Sequence, residues 1–103
     1  MKKLLLSIAF LLSGMGIMAQ TQVTTAEGIL EGKDLSGITV FKGIPFAAPP
    51  VGNLRWKAPQ PVQKWQGVRE AKEFGPNPMQ EPIFGDMNFG TKKYSEDCLY
   101  LNI

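Results

Sequence analysis

Glu96, Asp97 and Cys98 stand in an unbroken row: two carboxylates and the only thiol of the chain. Paired carboxylates can divide general acid–base work when both reach one substrate. Neighbours on an extended backbone point to opposite faces, so these two are expected to serve separately. One is expected to be a buried ion-pair partner, the other to cap or bind backbone. Beside them the Cys98 thiolate is disfavoured, and an inert thiol is expected rather than a nucleophile. Arg55-Trp56-Lys57 and Lys64-Trp65 interleave cations with aromatic rings. Single-stranded nucleic acid stacks on such a pattern, but packing and stacking within the fold is the expected use here. Gly14-Met15-Gly16-Ile17-Met18-Ala19 fits G-x-G-x-x-A, and Asp34 follows. A dinucleotide site needs a helix after the glycines and a strand before the acid. The Thr-rich stretch after Ala19 is a poor helix, and no apolar run precedes Asp34.

Other chemistries are excluded outright. The chain has no histidine, so it holds no Ser-His or Cys-His couple. One cysteine without histidine makes neither a structural zinc site nor an internal disulfide. Ser7, Ser13, Ser36 and Ser95 lack the glycines of G-x-S-x-G, and no H-G-G-G loop is present. The nucleophile elbow and oxyanion loop of the hydrolases that use them are therefore missing. No catalytic, cofactor-binding or metal residue is assigned in these 103 residues.

Residues 1–19 explain the basic balance. Lys2 and Lys3 precede an apolar run over 4–12, broken only by Ser7, and a small-residue stretch ending at Ala19. This is the order of a cleavable secretory signal peptide. The apolar run is too short for a bilayer, which needs about 20 residues. The expectation is a leader over 1–19, a mature chain over 20–103, and a secreted or periplasmic protein with no transmembrane segment in its mature part. Without Lys2 and Lys3 the 11 basic residues fall to match the 9 acidic ones. No electrostatic case for a nucleic-acid or anionic-membrane partner remains.

The elements that must position these residues are short. Residues 22–26 read as a strand, 28–31 as its partner after a turn, and Asp34-Leu35-Ser36-Gly37 as a second turn. Residues 38–42 are the best strand by alternation. Together the three runs predict a small antiparallel sheet. From 43 to 61, five prolines remove donors and restrict φ, so irregular chain laid over a core is expected. Val68 onward is expected to make one or two helical turns, stopped by Gly75-Pro76. Residues 80–95 show no period, although their apolar side chains suggest packing or a pocket rim. Residues 98–103 read as a buried strand. A domain seldom closes on an apolar strand without a flanking turn, so a truncated piece of a larger protein is expected.

Four strings occur in order. They are Phe41-Lys42-Gly43-Ile44-Pro45-Phe46-Ala47, then Pro49-Pro50-Val51-Gly52-Asn53-Leu54-Arg55-Trp56, then Trp65-x-Gly67-Val68, and last Ser95-Glu96-Asp97-Cys98-Leu99-Tyr100-Leu101-Asn102-Ile103. They closely resemble the start of the type-B carboxylesterases, the family of para-nitrobenzyl esterase-like enzymes and cholinesterases. The resemblance covers residues 23–103. It implies the N-terminal part of an α/β-hydrolase fold, in which a small antiparallel sheet leads into a largely parallel central sheet. The fragment itself should be mostly β and coil. The implied chemistry is hydrolysis of small-molecule esters by a serine, a histidine and an acid, all beyond Ile103. It also implies an Arg55–Glu96 structural ion pair. Secreted members bridge the cysteine at Cys98 to a cysteine where this chain has Pro78, so that loop is unstapled here. A non-catalytic adhesion or binding module of the same family is the alternative function.

Overall fold

The computed structural model describes residues 21–81, 83–85 and 90–103. The expected leader over 1–19 and its glycine pattern lie outside them. Seven short strands follow among the described residues: β1 (Gln22–Thr24), β2 (Ile29–Glu31), β3 (Lys33–Leu35), β4 (Ile38–Val40), β5 (Ile44–Pro45), β6 (Val68–Glu70) and β7 (Tyr100–Leu101). No α-helix occurs among these residues.

β1 and β2 form an antiparallel pair with Val23 opposite Leu30. Thr25 closes their turn. Its amide and hydroxyl both donate to the Gly28 carbonyl at 2.9 Å. Trp65 fastens the same turn from a distance, its indole N–H donating to Ile29 O at 2.9 Å and its amide to Glu27 O at 3.0 Å. Gly28 permits this approach, because a Cβ there would sit 2.4 Å from the indole nitrogen.

The third strand of this sheet is β6, parallel to β2, with Ile29 opposite Val68 and Glu31 opposite Glu70. Strand therefore replaces the helical turns expected from Val68 onward. Helical turns bond locally, whereas this backbone finds distant partners. The Ala71 amide donates to Glu31 O at 2.8 Å, and the Ala71 carbonyl accepts from Lys42 N at 2.8 Å.

The 38–42 run also differs from expectation. Only Ile38–Val40 is strand, and it pairs with β3 as a separate hairpin rather than joining β1 and β2. Ser36 and Gly37 carry φ of 56° and 86°. Two positive φ angles define the type I′ turn that matches strand twist, and Asp34 Oδ1 accepts the Gly37 amide at 2.9 Å. With a tight two-residue turn available, the nearest strand is the cheapest partner. Phe41 then leaves the hairpin and exchanges backbone bonds with Ile103, 2.7 and 2.8 Å long. Beyond it β5 pairs antiparallel with β7. The expected strand over 98–103 shrinks to Tyr100–Leu101, which is half-buried.

Between β5 and β6 the chain is irregular, as its prolines require, apart from a single 3-10 turn at Gly52–Leu54. Among the described residues the buried apolar set is small: Leu30, Ala47 and Ala71. Ile38, Trp56, Met79, Ile83 and Ile103 are each more than 60 % exposed, and Trp56 wholly so. Three small or medium side chains bury little apolar area, and cooperativity in domains this small depends on such burial. Residues 20–103 alone are accordingly expected to lose far-UV dichroism gradually on heating. A sharp sigmoidal transition from a monomeric sample would show that the expectation is wrong.

Candidate functional site

The 3-10 turn aims Arg55, whose own amide donates back to Gly52 O at 3.2 Å. Its guanidinium meets Glu96 in a two-point contact, Nε to Oε1 at 2.7 Å and Nη2 to Oε2 at 2.5 Å. This is the fork-on-fork geometry that makes arginine–carboxylate pairs directional. The side chains remain 53 % and 43 % exposed, so here the pair lies at the surface, not in the interior. The hydrogen bonds from Arg55 hold the Glu96 carboxyl below the usual carboxylate range against a smaller desolvation effect. The same bonds raise Arg55.

Asp97 goes elsewhere, accepting the Tyr100 hydroxyl on Oδ2 at 3.0 Å. Its partner is thus a side chain, not the backbone that had been expected. Partial burial, and then that hydrogen bond, push the Tyr100 phenol up. The two carboxylates diverge, Glu96 to Arg55 and Asp97 to Tyr100, from a bend and not from a strand.

Cys98 is a half-buried free thiol. It borders two hollows. One, about 290 Å³, lies among Trp56, Met79, Ser95 and the Arg55–Glu96 pair. The other, about 210 Å³, is lined by Asn77, Pro78 and Tyr100 among others. Trp56 has a φ of 61°, a region a bulky residue rarely enters, and its ring is uncovered. Expected packing is therefore absent at Trp56. It is present at Trp65, whose ring lies 5.6 Å from the Arg69 guanidinium.

A second polar cluster escaped the sequence reading. Lys72 Nζ reaches Glu31 Oε2 at 2.6 Å, Gln22 Nε2 reaches Glu31 Oε1 at 3.0 Å, and Glu70 lies 3.8 Å from Lys72. Hydrogen bonds from Lys72 and then Gln22 lower the Glu31 pKa. The β1–β2 pairing sets Gln22 opposite Glu31 and the parallel β2–β6 pairing brings Glu70 and Lys72 to it, so no spacing along the chain announced the cluster. Among the described residues, no group of three or more His, Cys, Asp and Glu side chains could hold a metal. Arg55 with Glu96 and Lys72 with Glu31 are engaged with one another, so these contacts build structure.

The carboxylesterase family model matches residues 19–103, and the chain belongs to that family. Phenmedipham hydrolase of Pseudarthrobacter oxydans is 44 % identical over 85 residues, covering 77 % of this chain and 17 % of the relative. A solved PNB esterase superposes with a TM-score of 0.75 at 39 % identity, over 82 % of this chain and 18 % of that one. A carboxylesterase of Geobacillus stearothermophilus gives 0.69 at 44 % identity, over 81 % and 16 %. These are α/β-hydrolases, and the strands and connections described above are part of that fold. The chain spans under a fifth of each relative's length.

The lowered Glu96 pKa has a definite sign for stability. A carboxyl that binds protons less readily when folded contributes stability above its unfolded value of about 4.3. That contribution disappears as pH falls through the lower folded value. In the folded protein, a carboxyl ¹³C titration of Glu96 is expected to give a midpoint below about 4.3, and Arg55→Leu should move it upward. Identical midpoints with and without Arg55 would remove the pair from the account.

Proposed function

We propose that this chain is the amino-terminal portion of a serine carboxylic-ester hydrolase, exported through a signal peptide over residues 1–19. One observation carries the reading: the family match runs from residue 19 to residue 103. The relatives' names support it, one being a phenmedipham hydrolase and another a para-nitrobenzyl esterase.

In the parent protein a serine oxygen attacks the ester carbonyl while a histidine takes its proton. The oxyanion is held by backbone N–H groups, and the alcohol leaves with that proton. Water then hydrolyses the acyl-enzyme and restores the serine. None of these groups lies in residues 1–103, which contain no histidine and no G-x-S-x-G. The contribution of this segment is support. Arg55 and Glu96 tie the proline-rich connection to the signature segment. The reaction needs no metal or organic cofactor, and the substrate class is a small-molecule ester.

The full-length protein is expected to hydrolyse short-chain para-nitrophenyl esters and to lose that activity to a serine-directed organophosphonate. Residues 20–103 alone should stay at the level of a protein blank. A full-length protein that binds but does not turn over esters would instead support a non-catalytic binding module. Export has its own check. Mass spectrometry of protein recovered outside the cytoplasm should find an N-terminus at Gln20, and an intact Met1 there would overturn the leader assignment.

A further inference from the structure

Asn77 holds together two stretches of chain that are far apart in sequence. Its backbone amide donates to Lys93 O at 2.8 Å, and its carbonyl accepts from Ser95 N at 2.9 Å. These two bonds make the parallel bridge opposite Tyr94. The side chain adds a third, Nδ2 donating to Thr91 O at 3.0 Å. Thr91 Oγ1 accepts in turn from Lys93 N at 3.2 Å. Most residues could supply the two backbone bonds. The third needs a short side chain with an N–H donor.

What Asn77 grips matters for the groups that follow. Ser95 is bonded directly to Asn77 and caps the Asp97 amide through its hydroxyl at 3.1 Å. Glu96, between them, holds Arg55. Cys98 comes next in the same segment, and Asn77 lines the smaller of its two hollows. With a single cysteine in these residues, no covalent bridge closes this part of the chain.

We propose that Asn77 is a positioning residue, a polar clasp that sets residues 91–95 against residues 76–78 and thereby governs solvent access to the Cys98 thiol. A clasp of hydrogen bonds opens reversibly, as a disulfide does not. Removing its side-chain member should raise the open population on the order of five-fold, the effect of one net hydrogen bond on an opening equilibrium.

The test reads thiol chemistry in the full-length protein, so its outcome is separate from that of the ester-hydrolysis assay. It shares with that reading only the existence of the longer parent. Iodoacetamide labelling of Cys98 is followed under native conditions by mass spectrometry of the Cys98 peptide. Asn77→Leu removes the amide at similar size, and Asn77→Asp keeps the shape without the donor. Both are expected to label on the order of five times faster than the parent. Asn77→Gln, which restores a donor one methylene farther out, should recover part of the protection. Gln80→Leu is the control, since its exposed amide reaches only Pro78 O at 3.4 Å, and it should label like the parent. Parental rates in Asn77→Leu and Asn77→Asp, or equal acceleration in Gln80→Leu, would overturn the proposal. Should the Asn77 variants not fold, hydrogen exchange on the parent decides. The Asn77 and Ser95 amides are expected to exchange slowly and at one shared rate, and fast exchange at either position counts against the clasp.

Discussion

Ala71 is the junction on which the rest of the structure depends. Its amide donates to Glu31 at the end of β2, and its carbonyl accepts from Lys42, just after the β3–β4 hairpin. Phe41, one residue earlier, is in turn bonded to Ile103. Three stretches far apart in sequence are thus locked at one residue with no exposed surface. A methyl side chain suits this position because it lets strands approach without a void or a clash. Unsatisfied backbone groups in so buried a place would cost more than the bonds gain, so the register is strongly determined.

Away from that junction, side chains take over the work of the ladder. The connection between β5 and β6 is rich in proline, which cannot donate, so few sheet bonds can form there. Three side-chain ties compensate: Arg55 to Glu96, Trp65 to Ile29 O, and Asn102 Oδ1 accepting from Gly43 N at 3.0 Å. Each joins the irregular chain, or its flanks, to an element distant in sequence. The carboxylesterase fold gives these ties their purpose. Cys98, a free thiol among the described residues, stands among these ties.

Much of the candidate site was legible because its signals are local or carried by family motifs. The Asp34 to Gly37 turn is written in residues that tolerate positive φ. The β1–β2 pair follows from β-branched runs on either side of a glycine. The divergence of Glu96 and Asp97 was expected from strand geometry, whereas the structure produces it at a bend before β7. Less legible were features that depend on a partner. Residues from Val68 onward have tolerable helix propensity, and only the free edge of β2 makes them strand. The Glu31–Lys72 cluster exists because β2 and β6 run parallel in one register, which no spacing encodes. Trp56 was expected to pack like Trp65, yet only Trp65 finds a carbonyl and a cation within reach.

By itself, then, the sequence determined composition-level facts and local chemistry. It supplied no histidine and a single cysteine within residues 1–103, placed the turns, required irregular chain across the prolines, and carried the carboxylesterase motifs. These depend on residue identity and on steric rules within a few bonds. The tertiary structure alone decided which strands pair, that β6 joins β2 in parallel, how exposed the Arg55–Glu96 contact is, and that Asn77 meets Thr91. Those outcomes arise from competition among distant partners for the same backbone groups, and the winner is set by where the whole chain can bring them together.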